Sequence, residues 1–167
     1  YKDERPPSPN EYITEILKRL EGSDLTLVLE PGRSIVAQAG ILVAKVEVLK
    51  VTDHKAFAVV DTAMNDLLRP SIYGSWHDII PVNQSTKDRK SRIYDIVGPI
   101  CESTDTFLKY KNFSFLKENG LVAITNVGAY GSTLSSNYNT KPLASEILLK
   151  NGKIKVIRKR QNISEII

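Results

Sequence analysis

One cysteine, Cys101, stands in 167 residues, so no disulfide can form within the chain. A lone thiol outside any disulfide framework fits a reducing compartment, and a cytoplasmic location is the expectation. Apolar runs are short, and none approaches the roughly 18 residues that a membrane-spanning helix needs. The opening residues, Tyr1-Lys2-Asp3-Glu4-Arg5-Pro6-Pro7, are charged and proline-rich where a secretory signal would be apolar. Histidine is scarce. His54 and His77 lack the spacing of a metal pair, and no metal is expected. An excess of one charge is lacking too. The net charge is +4, basic residues are scattered, and the densest cluster, Arg158-Lys159-Arg160, has no interleaved aromatics, which argues against a nucleic-acid surface.

What is present is ordinary for a globular domain: 41% apolar and 25% charged residues. The length is enough to bury one core without disulfides or metals. Residues 9–21 read as a helix. Ser8 and Pro9 supply an N-cap and a first-turn proline, Tyr12, Ile13, Ile16, Leu17 and Leu20 recur at helical spacing, and Gly22 stops the run. Residues 25–29 are apolar at almost every position, as in a strand buried on both faces, and run into Glu30-Pro31-Gly32-Arg33. Helix, buried strand and glycine loop are the components of an α/β layer, yet one such unit cannot form a sheet alone.

From Gly40 onward the pattern changes to β. Residues 41–51, 56–61, 79–82, 92–97, 121–126 and 146–157 are β-rich runs separated by turn signals, and Asn151-Gly152 marks a hairpin. The expected fold is therefore mostly β and mostly antiparallel over residues 36–167. Residues 1–35 read as the last αβ unit of an α/β domain, or as a small αβ appendage on the β domain.

Four segments could carry chemistry. Glu30-Pro31-Gly32-Arg33 follows a strand, where glycine lets an anion approach the backbone and Arg33 can pair with a phosphate or carboxylate; a surface turn explains it equally well. In 61–73 a short helix is expected from Asn65, with Arg69 and Tyr73 four residues apart on one face, although Pro70 interrupts it. Gly98-Pro99-Ile100-Cys101-Glu102-Ser103-Thr104-Asp105 places the thiol beside a carboxylate in a loop, whereas a buried structural cysteine is the commoner fate of such a residue. Gly128-Ala129-Tyr130-Gly131 and the following Ser136-Asn137-Tyr138-Asn139 surround two tyrosines with small residues, which suits either a flat ligand or a simple glycine turn.

Taken in order, Glu30-Pro31-Gly32-Arg33, Met64-Asn65-Asp66-Leu67-Leu68-Arg69-Pro70, Cys101-Glu102-Ser103 and Gly128-Ala129-Tyr130 resemble the C-terminal part of the diaminopimelate decarboxylase family. These are pyridoxal 5'-phosphate enzymes of the alanine racemase-like fold class, and the similarity runs over nearly the whole chain. The resemblance implies a two-domain protein. Residues 1–35 would end a (β/α)8 barrel and residues 36–167 would form the C-terminal β-barrel or sandwich. It also implies conversion of meso-2,6-diaminopimelate to L-lysine and CO2, the last step of lysine biosynthesis, by a homodimer with shared active sites. Glu30, Pro31, Gly32, Arg33 and Tyr130 would contact the cofactor. Arg33, Arg69, Tyr73, Glu102 and Tyr130 would bind substrate, with Glu102 on the distal ammonium. Cys101 would be the catalytic proton donor. The family's cofactor-anchoring lysine belongs to the barrel and its motif is absent here, so this chain alone is expected to be inactive.

Two other readings compete. Ornithine-type decarboxylases share the thiol but need no clamp for a distal carboxylate, which Arg33 and Arg69 would supply here; a carboxynorspermidine- or ornithine-type substrate is the alternative among enzymes. A stand-alone β-barrel binding module is the non-catalytic alternative. The chain departs from the family pattern at Thr140-Lys141-Pro142-Leu143-Ala144-Ser145-Glu146 and at Leu134, positions without a proposed catalytic role.

Overall fold

The structure is a computed structural model that describes residues 2–83, 91–113 and 116–167. Its first element is helix α1 (Pro9–Leu20), which starts where the sequence signals it. The Ser8 side chain accepts the Glu11 N–H while the Glu11 carboxylate accepts the Ser8 N–H at 2.7 Å, a complete capping box. Ile13, Ile16 and Leu20 are half-buried, whereas Tyr12 and Leu17 lie exposed.

The strand expected over 25–29 does not form. Leu25, Val28 and Leu29 are exposed, and the segment pairs with no described strand. Strandhood is a relation: an extended run without a neighbour for its N–H and C=O groups makes no ladder. The chain then makes a four-residue helix, α2 (Arg33–Val36), and a 3₁₀ turn at Ala37–Ala39 before entering the sheet.

Six strands form the main sheet: β1 (Leu42–Val51), β2 (Ala56–Val60), β3 (Ile79–Pro81), β4 (Arg92–Val97), β5 (Thr106–Phe113) and β6 (Leu121–Ile124). Their order is β3-β6-β1-β2-β4-β5. Ala44 and Val46 of β1, Ala58 and Val60 of β2, Ile79, Ile96, Val122 and Ile124 are essentially inaccessible and form the core. β2 shows the cause most plainly, because alternate residues Ala56, Ala58 and Val60 point inward. Pairing is antiparallel among the described strands except between β2 and β4. A parallel pair needs a long crossover. The connection leaving β2 carries helix α3 (Arg69–Tyr73), so the topology lifts the segment bearing Arg69 out of the sheet.

Strand β5 is the one the sequence conceals. Lys109, Lys111 and Asn112 break its alternation, and Tyr110 sits at φ 57° in a bulge. The buried Asp95 carboxylate holds that bulge by accepting the Tyr110 N–H at 2.9 Å, and pairs with Lys55 at 2.7 Å. A separate hairpin, β7 (Glu146–Lys150) and β8 (Lys153–Arg158), turns through Asn151 and Gly152 at φ 51° and 72°. Its Ile147, Leu149, Ile154 and Val156 are all exposed.

Candidate functional site

Two glycines bring the first and fourth candidate segments together. A Cβ on Gly40 would lie 2.6 Å from Gly128, and one on Gly128 would collide with the Val36 carbonyl. Only hydrogen fits at either place, and the close approach lets Gly128 N–H donate to Ala37 O at 3.0 Å and Val127 N–H to Gly40 O at 3.1 Å. Tyr130 is thereby set beside the Glu30-Pro31-Gly32-Arg33 loop. A Cβ on Gly32 would stand 3.6 Å from the Tyr130 hydroxyl. Tyr130 also has a left-handed backbone, φ 58°, a conformation that costs a non-glycine residue about 1–2 kcal/mol and that clusters at functional sites.

Arg69 joins this pair. Its guanidinium carbon lies 5.6 Å from the centroid of the Tyr130 ring, in cation–π range. The residue is only 8% exposed, yet no carboxylate among the described residues pairs with it. A buried cation without a counter-ion is costly unless an anion completes it. The helix expected from Asn65 begins later, at Arg69, with Pro70 in its first turn, where a missing N–H costs nothing. Tyr73 ends that helix and is 68% exposed, so Arg69 and Tyr73 do not meet on one buried face. Glu30 and Arg33 are exposed at the rim of the loop.

The base of the cysteine loop is joined to α3, the helix that carries Arg69. Cys101 and Glu102 are both exposed, and neither side chain has a hydrogen-bonding partner or ion pair among the described residues. Within this chain Cys101 is not a buried thiol. The loop is fixed at its base instead. The Gly98 N–H donates to Asp105 O at 2.9 Å, the Asp105 N–H donates to Glu102 O at 3.0 Å, and the Ser71 hydroxyl of α3 donates to Thr104 O at 2.8 Å.

Three buried polar residues were not among the expected site residues. Asn65 donates to Ser136 O at 3.2 Å while Ser136 N–H donates to Asn65 O at 2.9 Å, joining the turn before α3 to the segment after Tyr130. Asp105, almost fully buried, accepts two backbone N–H groups, and burial pushes its carboxyl above the usual range despite those bonds. His77 lies 1% exposed with Nδ1 2.9 Å from Thr125 O and with Nε2 unpartnered among the described residues. Burial lowers its pKa, the Thr125 bond opposes the shift, and the Arg69 charge adds to it. For Asp105 the signal was its place three residues after Glu102; for His77 there was none.

The described residues contain no cluster of three or more potential metal ligands and no helix long and apolar enough to cross a membrane. A family model described as the C-terminal sheet domain of pyridoxal-dependent decarboxylases matches residues 12–128, and the chain belongs to that family. Within it, the chain is similar to proteins named diaminopimelate decarboxylase. It is 48% identical to that of Vibrio cholerae over 99% of this chain and 39% of the relative, and 49% identical to that of Pseudomonas aeruginosa over the same shares. The crystal structure of the Helicobacter pylori diaminopimelate decarboxylase complexed with L-lysine superposes with a TM-score of 0.91 at 43% identity, covering 99% of this chain and 40% of that one. The chain spans about 40% of the length of these relatives.

Proposed function

We propose that this chain is the β-domain portion of an enzyme that decarboxylates meso-2,6-diaminopimelate to L-lysine and CO2 with pyridoxal 5'-phosphate, the last step of lysine biosynthesis. The observation that carries the proposal is Arg69, a buried guanidinium with no carboxylate partner among the described residues, set against a tyrosine in a left-handed conformation. That arrangement is completed by a small anion, and a substrate carboxylate is one. The enzyme acts in the cytoplasm as a homodimer. Residues 1–35 end its barrel, whose neighbouring strands would complete the exposed run at 25–29, and residues 36–167 form the β domain.

The residues fit the cofactor. Gly32 leaves open the space next to the Tyr130 hydroxyl, and the Gly40–Gly128 contact holds the two loops at that separation. Glu30, Pro31, Gly32 and Arg33 would lie along the cofactor phosphate, and Tyr130 would reach both cofactor and substrate. When bound, the cofactor supplies a pyridine ring that withdraws the electron pair left at the α-carbon by the departing CO2. The chain's own groups do the rest. Arg33, Arg69 and Tyr73 hold the distal carboxylate, and Glu102 receives the distal ammonium. Cys101 Sγ–H delivers the proton to the α-carbon. The exposure of Cys101 and Glu102, neither with a side-chain partner among the described residues, supports their use in the partner subunit's site.

In the intact two-domain enzyme, Cys101→Ala is expected to lower kcat by about 10²–10⁴-fold, the usual contribution of a general acid, with KM little changed. A kcat close to that of the unmodified enzyme would remove Cys101 from the reaction.

A further inference from the structure

The Asp105 carboxylate has no place among the groups assigned above, yet it bridges two of the segments that carry them. Oδ1 accepts the Met64 N–H at 2.7 Å and Oδ2 accepts the Ile100 N–H at 2.9 Å. Met64 lies in the turn that leads into the helix of Arg69, and Ile100 directly precedes Cys101. Space for the carboxylate is left by Gly98, where any Cβ would run into it. Its backbone N–H and C=O close the loop from Gly98 to Asp105 on itself. Asp105 is 2% exposed and forms no ion pair with the described residues.

A buried carboxylate without a cation is a costly way to fill space, and an apolar side chain would do that better. What a carboxylate does that an apolar side chain cannot is accept two backbone donors from separate segments at once. Cys101 and Glu102 have no side-chain anchors among the described residues, so the base of the loop alone decides where its tip stands. Ser71, donating from α3 to Thr104 O, is the second tie at that base.

We infer that Asp105 is a positioning residue: it docks the loop of Cys101 and Glu102 onto the turn that leads to Arg69, and so fixes where the Glu102 carboxylate meets the substrate's distal ammonium. This rests on the reading of Glu102 given above. Asparagine in its place keeps the shape but turns an amide NH₂ toward one of the two N–H donors, and that tie is lost. The defect is therefore one of discrimination, whichever subunit's site the tip enters.

The test uses the intact enzyme and two substrates, meso-diaminopimelate and 2-aminopimelate, which keeps both carboxylates but lacks the distal amine. Asp105→Asn is expected to reduce the ratio of their kcat/KM values about tenfold, and Ser71→Ala to reduce it in the same direction by a smaller factor. A purely structural defect lowers the amount of folded enzyme and leaves the ratio unchanged. If Asp105→Asn does not fold, Ser71→Ala alone reads the loop's docking. Ratios like the parent's in the folded variants, while Glu102→Gln abolishes the preference, would overturn the positioning role. An unchanged ratio in Glu102→Gln would instead overturn the reading of Glu102, and the inference with it.

Discussion

Arg69 is kept in a place that stability alone would not choose. Replacing a buried charge that has no carboxylate partner among the described residues is commonly neutral or stabilising, whereas breaking a charged contact to a bound ligand costs about 2–5 kcal/mol of binding. Arg69→Met in the intact enzyme is therefore expected to leave the thermal midpoint unchanged or raised while kcat/KM falls about 10²-fold or more, and paired melting and kinetic measurements check it. His77 responds to the same charge. Its folded pKa lies below the ordinary value, so its contribution to stability is complete above about pH 6.5 and is lost as pH falls from there through the lowered folded value. Asp105, with a raised folded pKa, acts in the opposite sense. Its contribution is complete below the ordinary carboxyl value and is lost as pH rises through the folded one. Denaturation of His77→Gln at pH 7.5 and 5.5 is expected to show a smaller acid loss than the parent. An equal loss in both proteins would assign the acid sensitivity elsewhere.

At the scale of elements, the site depends on how closely two loops approach. The 37–40 turn and the 127–131 loop touch through Gly40 and Gly128, and Tyr130 faces Gly32 because of that contact. Gly128→Ala would push the Val36 carbonyl away, at a cost of about 1–3 kcal/mol for overpacking. Cofactor affinity, read by titrating absorbance in the intact enzyme, is expected to fall in step with the melting midpoint. Elements defined by local chemistry were legible beforehand. The N-cap at Ser8 with Pro9 in the first turn, the β-rich run of β2 and the Asn151-Gly152 turn are each written in a few adjacent residues. Strand β5 was not, because a bulge at Tyr110, locked by Asp95 from the neighbouring strand, disrupts the period by which a strand is recognised.

For the whole molecule, exposed apolar residues at both ends of the chain are the dominant feature. Leu25 and Val28 near one end and Leu149 and Ile154 near the other stand at about 70% exposure, far above what a satisfied strand shows. The isolated chain is expected to bind an apolar dye such as ANS strongly, and the intact two-domain enzyme much less; equal binding would count against the barrel assignment for residues 1–35. The proposed sharing of sites between subunits makes a further prediction. Heterodimers of a Cys101→Ala subunit with a subunit lacking the barrel lysine are expected to recover activity that neither homodimer has, since one composite site is then whole. The sequence by itself determined the mostly β architecture, most strand positions and the ordered motifs of the family, because period, turn chemistry and residue identity are local properties. Only the tertiary structure decided that Arg69 is buried with no carboxylate partner among the described residues, that Tyr130 adopts a left-handed backbone beside Gly32, and that Asp105 accepts N–H groups from both Met64 and Ile100. Burial and contacts such as Met64 with Asp105 join segments tens of residues apart, and the energy of such a contact exists only once the chain has folded.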